Sequence, residues 1–332
     1  MTNPTQAMRK LILWSGRGLM ALGVLLLTMA AYLWVTGTPL SAVLDNLRVF
    51  IPFIRFDGYQ NIEFEGERAY NHAWAQCNFG PRPPGSEALR QAGDYIIEQL
   101  ENQGWTVEEQ TFEYQGVTVR NLIGRKGEGT PIIIGAHYDT RARADNDPDP
   151  ERRDEPVPGG NDGASGVGVL LELARSLNVH DAGHQVWLAF FDAEDNGSRG
   201  LPGWNWIVGS TYMAEHLGTQ VDFMILLDMI GDQDQRILWE GFSTAWMREI
   251  VWDVAGQLGY SDHFIPQVGP HLIDDHRPFL NQGIPAIDII DFDYPYWHTT
   301  QDTCDKLSID SLTRVGRVVE ETLEKRRLDI AR

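Results

Sequence analysis

Apolar and polar residues follow two different periods along the chain, and the period decides each element. Residues 89–100 place Leu89, Ala92, Ile96, Ile97 and Leu100 at helical spacing, with Ser86 as a cap ahead of them and Gly104 as a stop. Residues 67–75, 166–177, 211–217, 245–258, 275–282 and 309–323 read as further helices. The last of these sets Ile309, Leu312, Val315 and Val319 on one face. Residues 106–114 and 117–123 read as a strand pair joined through Gln115-Gly116. Four shorter runs, 132–136, 186–191, 223–227 and 286–290, are apolar almost without a break, as strands buried on both faces are. Strands alternating with helices predict an α/β fold with a mostly parallel sheet.

The N-terminus has another character. Arg9, Lys10 and Arg17 precede an uncharged stretch, 18–44, whose apolar heart at 19–35 shows no amphipathic stripe. It is close to a membrane span in length, so residues 1–37 read as a transmembrane signal-anchor, or as a signal peptide if Val35-Thr36-Gly37 is a cleavage site. Basic residues before the span place the rest of the chain on the extracytoplasmic side, membrane-anchored, or secreted if the segment is cut. Residues 38–60, interrupted by Pro39 and Pro52, read as a juxtamembrane linker, and residues 61–332 as one catalytic domain. A formal net charge of −20 over 332 residues, with no basic patch, argues against nucleic acid as a partner. Cys77 and Cys304 lack the Cys-x-x-Cys spacing of a zinc or redox motif; a disulfide and two separate thiols both remain open.

Candidate chemistry sits where the apolar runs end. His137 and Asp139, Asp162, Glu194-Asp195, Asp228, Asp274-Asp275-His276 and His298 all lie at or beyond the ends of predicted strands. Ligands of open α/β sheets bind beyond the C-terminal strand ends, so one local rule brings these distant residues together. Singly each has an ordinary explanation, such as Asp162 capping a helix. Together, so many buried acids call for a cation. Carboxylates with imidazole suit zinc, and three protein ligands with an open position define a catalytic site. Asp162, Asp195 and His298 are the chosen ligands. Glu194, beside a ligand, is free to carry protons. Other signals fail: Gly159-Gly160-Asn161-Asp162-Gly163 lacks the phosphate-loop lysine, and Pro150 and Pro156 stand where a calcium loop needs glycine and glutamate.

From about residue 65 onward the chain resembles the zinc-dependent M28 peptidase clan, and within it animal-type (type II) glutaminyl-peptide cyclotransferases and their bacterial members. The resemblance lies in Ala136-His137-Tyr138-Asp139, Asn161-Asp162-Gly163-Ala164-Ser165-Gly166, Phe190-Phe191-Asp192-Ala193-Glu194-Asp195 and Leu226-Leu227-Asp228-Met229. Asp274-Asp275-His276 and Tyr296-Trp297-His298-Thr299 complete it. It implies a three-layer αβα, zinc-aminopeptidase-like fold and one zinc on Asp162, Asp195 and His298. It also implies Glu194 as general acid/base, Asp228 and Asp274 as a supporting carboxylate network, and Trp297 as a pocket wall. Trp206 fits a second wall or a core position equally.

The implied reaction converts an N-terminal glutamine of a peptide or protein to pyroglutamate with release of ammonia. The substrate's α-amine attacks its own γ-carbonyl, and Glu194 moves the proton to the leaving nitrogen. The alternative is a two-zinc aminopeptidase, in which His137 and Asp228 complete a second metal site, Asp162 bridges, and Glu194 activates the attacking water. Aspartate rather than glutamate at Asp195 sets the chain apart from common aminopeptidase sequences. A non-enzymatic ectodomain of the same fold is disfavoured because no ligand position is lost.

Overall fold

The computed structural model describes residues 62–329. Its strands are β1 (Thr106–Tyr114), β2 (Val117–Lys126), β3 (Pro131–His137), β4 (Gln185–Phe191), β5 (Met224–Asp228), β6 (Ile237–Trp239), β7 (Phe264–Val268) and β8 (Ala286–Ile290). Its helices are α1 (Gly66–Cys77), α2 (Glu87–Asn102), α3 (Ala164–Ser176), α4 (Val179–Ala182), α5 (Val208–Glu215), α6 (Ala245–Gln257), α7 (Arg277–Asn281) and α8 (Ile309–Glu324). Ser86 caps α2 as expected, its side chain accepting from the Leu89 N–H.

The central sheet has six strands in the order β1-β2-β4-β3-β5-β8. The four apolar runs, β4, β3, β5 and β8, are mutually parallel, while β2 pairs antiparallel with both β1 and β4. The sheet is therefore mixed, with its parallel part where the chain lacks alternation. Each parallel strand is buried on both faces. Ile132, Ile134 and Ala136 of β3 point to one side, into a core shared with α2, α3, α6 and α8. Ile133 points to the other, where Trp187, Met224 and Leu226 meet Met213 of α5 and Phe279 of α7. This is a three-layer αβα arrangement.

Helix α3 is buried on all sides but one position, because it lies between the sheet and α1. Glycines permit that approach: a Cβ on Gly166 would stand 2.3 Å from the Leu227 carbonyl oxygen, and one on Gly168 2.5 Å from that of Ala69. Since α3 starts two residues after Asp162, this tight seat also fixes one wall of the site. Cys77 and Cys304 form a disulfide with a sequence separation of 227, tying the end of α1 to the turn that follows His298. Disulfides typically stabilise by about 2–4 kcal/mol.

Two expectations need correction. Residues 237–239 and 264–268 form a separate two-stranded parallel sheet that periodicity missed, since one strand has three residues and the other contains Pro266 and is largely exposed. The transmembrane anchor and the extracytoplasmic placement built on it are also withdrawn. Among the described residues no helix is long and apolar enough to cross a membrane, and the segment carrying that expectation, 1–37, lies outside them.

Candidate metal centre

His137 ends β3, Asp228 ends β5, Glu194 and Asp195 follow β4, and His298 lies in the loop after β8. These four strands are parallel, so their C-terminal ends share one edge and the side chains converge there. Asp162 reaches the same point from the loop leading into α3. Its approach depends on the next residue: a Cβ on Gly163 would stand 2.4 Å from the His137 carbonyl oxygen and 2.6 Å from its Nε2. Only glycine fits.

The carboxylate of Asp162 faces two ways. Its Oδ1 lies 3.0 Å from His137 Nε2, which is also 3.2 Å from Asp228 Oδ1. Its Oδ2 lies 3.9 Å from His298 Nε2, which is 2.9 Å from Asp195 Oδ1. Two buried triads result, His137/Asp162/Asp228 and Asp162/Asp195/His298. In each, one ligand atom per residue lies within 4.8 Å of the others. The donors are imidazole nitrogen and carboxylate oxygen, a set that suits zinc. Asp195 Oδ2 is buried with no hydrogen-bond partner, an orphan acceptor that a cation would satisfy. The residues fit the metal.

Electrostatics agree with a site built around positive charge. Burial alone would lower the His137 imidazole, but hydrogen bonds to Asp139, Asp162 and Asp228 hold it well above its ordinary value. Burial likewise opposes His298, yet the Asp195 charge and bonds to Asp145 and Asp195 raise it to about 9. Burial pushes the Asp195 and Asp228 carboxyls up, whereas Asp162 ends below the carboxylate range because His137 outweighs its burial. Glu194 is pushed well above its ordinary value, by burial first and then by the Asp195 charge. Asp274 rises to about 7 through burial and the facing Asp228.

Glu194, Asp228 and Asp274 line one cavity of ≈120 Å³ with the ligands of the second triad. Asp274 enters from the loop after β7 rather than from the central sheet. Trp297 and Trp206 both line this cavity. Trp297 stacks on the His298 ring at 3.8 Å between centroids, and Trp206 lies nearly parallel to that ring at 6.0 Å.

Further residues support these ligands from behind. Asp139 accepts from the Glu194 and Asp195 N–H groups at 3.0 and 3.4 Å, and its Oδ1 stands 3.5 Å from His137 Nδ1. Buried Arg141 donates to the Asp195 carbonyl oxygen at 2.8 Å and to Asp145 at 2.6 Å, with its guanidinium 4.7 Å from the Trp206 ring centroid. Asp145 in turn stands 3.4 Å from His298 Nδ1. Asp302 accepts from the Asn161 and Asp162 N–H groups and from the Tyr294 hydroxyl. Only Asp139 carried a signal, its place two residues after a strand-end histidine.

The profile of Peptidase family M28 matches residues 119–323. A solved Bacteroides thetaiotaomicron glutaminyl cyclase, bound to N-acetylhistamine, is 35% identical with a TM-score of 0.75 and covers 80% of this chain and 99% of its own. A leucine aminopeptidase precursor from the same organism is also 35% identical, with a TM-score of 0.75, over 80% of this chain and 98% of its own. The glutaminyl-peptide cyclotransferase of Gloydius blomhoffii is 28% identical over 285 residues, 72% of this chain and 75% of that protein. Relatives thus span cyclases and aminopeptidases. The likeness is to the family as a whole, not to animal-type cyclases in particular.

Proposed function

The chain belongs to peptidase family M28, and on that footing we propose that residues 61–332 act on the N-terminal residue of peptides as a two-metal aminopeptidase. One observation carries this choice of reaction: each oxygen of the Asp162 carboxylate faces a different histidine and so a different complete triad. A carboxylate in that position is suited to bridge two cations. Asp162, Asp195 and His298 would hold one zinc, and His137, Asp228 and Asp162 a second. When bound there, zinc supplies Lewis acidity to the scissile carbonyl and makes an attacking water more acidic.

The remaining work falls to the chain. Glu194 belongs to neither triad but lines the same cavity as Asp162, Asp195, Asp228 and His298, and its backbone N–H is fixed by Asp139. Its carboxylate takes the proton of the attacking water and returns it to the departing amine. Burial supports this role by raising its basicity toward the working pH. Trp206 and Trp297 wall the cavity and offer apolar faces to the bound residue.

A second reading, glutaminyl cyclisation, is favoured by a different observation. Asp228 faces Asp274, and the latter's carboxyl is held near neutrality at about 7. A carboxyl that keeps its proton up to about 7 suits a relay behind Glu194 better than it suits metal ligation. Cyclases of 35% identity support this reading, and an aminopeptidase precursor of the same identity supports the first. Zinc per chain should be measured on the full protein, with leucine-initiated and glutamine-initiated peptides offered side by side. Two zincs with released leucine is the expected result. One zinc with ammonia and pyroglutamate replaces it by the cyclase, and turnover of neither peptide by zinc-loaded, folded protein overturns both.

A further inference from the structure

We propose that the rim of the catalytic cavity at Ile273 is a subsite for an apolar side chain at the second position of the peptide substrate. The inference rests on the N-terminal reading above and names the substrate class for either reaction. Among the residues lining the cavity, Ile273 alone is exposed, at 67%; Asp162, Glu194, Asp195, Asp228 and Asp274 are all buried. The cavity therefore opens past Ile273. At ≈120 Å³ it is far smaller than the ~300–1,000 Å³ of an ordinary ligand cleft, so it has room for little beyond the first residue. The second residue leaves across the rim.

The loop that carries Ile273 is held in place by the loop beside it. Phe242, 44% exposed, lies edge-on to His271 at 4.7 Å between centroids, with the Arg277 guanidinium 3.5 Å from its ring centroid. Glu240, 1% exposed, accepts from the backbone N–H groups of Phe242, Ser243 and Leu272 at 2.9, 2.7 and 2.9 Å. The Gly241 N–H donates to the Pro270 carbonyl oxygen at 2.8 Å. The loop bearing Phe242 and the loop bearing Ile273 are thus pinned to each other by one buried carboxylate. An isoleucine held in water by a preformed loop keeps apolar area hydrated, and a side chain laid upon it removes that area on both partners at little ordering cost.

The test compares kcat/KM of the intact chain on the amides of Gln-Leu and Gln-Gly, and of Leu-Leu and Leu-Gly. The expected preference for leucine at the second position is on the order of tenfold, expressed mainly in KM. In Ile273→Ser the ratio should fall to within about twofold of unity. The ratio is internal to each preparation, so partial unfolding of the variant does not move it. Turnover without a preference for leucine, or a preference unchanged in Ile273→Ser, overturns the subsite. Absence of turnover on all four amides overturns the N-terminal reading and the subsite with it, a result distinct from turnover without preference.

Discussion

Glu194→Gln is expected to lower turnover by about 10²- to 10⁴-fold while leaving the metal content of the protein unchanged. Glutamine has nearly the same shape and keeps the backbone N–H that Asp139 holds, so the loop between β4 and the ligands should stay in place. The substitution removes only a group that accepts and returns a proton. Because Glu194 lies outside both triads, losing its charge leaves every candidate metal donor intact. The loss should appear in kcat more than in KM, since the proton moves only in the transition state. Turnover within a few fold of the parent would transfer the proton to another acid in the cavity, with Asp274 the first to examine.

Asp162→Asn should have the broadest effect on the centre. Both triads share this carboxylate, so its loss is expected to empty both, whereas His137→Ala and His298→Ala should each weaken one. Disturbing groups behind a metal ligand already costs about 10- to 100-fold in affinity, and removing the one donor common to two sites should exceed that. The variant remains a fair test because asparagine keeps the volume and the backbone N–H bonded to Asp302. Zinc content after dialysis reads the outcome directly. Retention of one zinc per chain in Asp162→Asn would show that the carboxylate is not the shared donor.

The outline of this site was legible because it follows from where strands end. Four apolar runs without alternation imply parallel strands, parallel strands place their C-terminal ends together, and His137, Asp228, Glu194, Asp195 and His298 stand at those ends or in the loops that follow them. What escaped reading depends on loop closure, which no local period encodes. Asp302 caps the backbone of Asn161 and Asp162 across 141 and 140 positions of sequence, and Arg141 reaches the Asp195 carbonyl through a loop of its own. Asp145 lies in an acidic stretch whose prolines are wrong for a calcium loop, and its place behind His298 follows only from the fold. Trp206 has no sequence signal that separates it from a core tryptophan; only the fold sets its ring beside His298. The small β6–β7 sheet was missed because its strands are too short and too exposed for apolar periodicity to register.

Chemistry divides along the same line. Ligand types and their order along the chain indicate zinc, but one cation or two depends on how the Asp162 carboxylate is turned, and orientation is a property of the fold. Crystals of the protein grown with zinc and measured across the zinc absorption edge address this most directly. Two anomalous peaks are predicted, one between Asp195 and His298 and one between His137 and Asp228, with Asp162 between them. A single peak at Asp195 and His298, or none at either triad, would contradict the account.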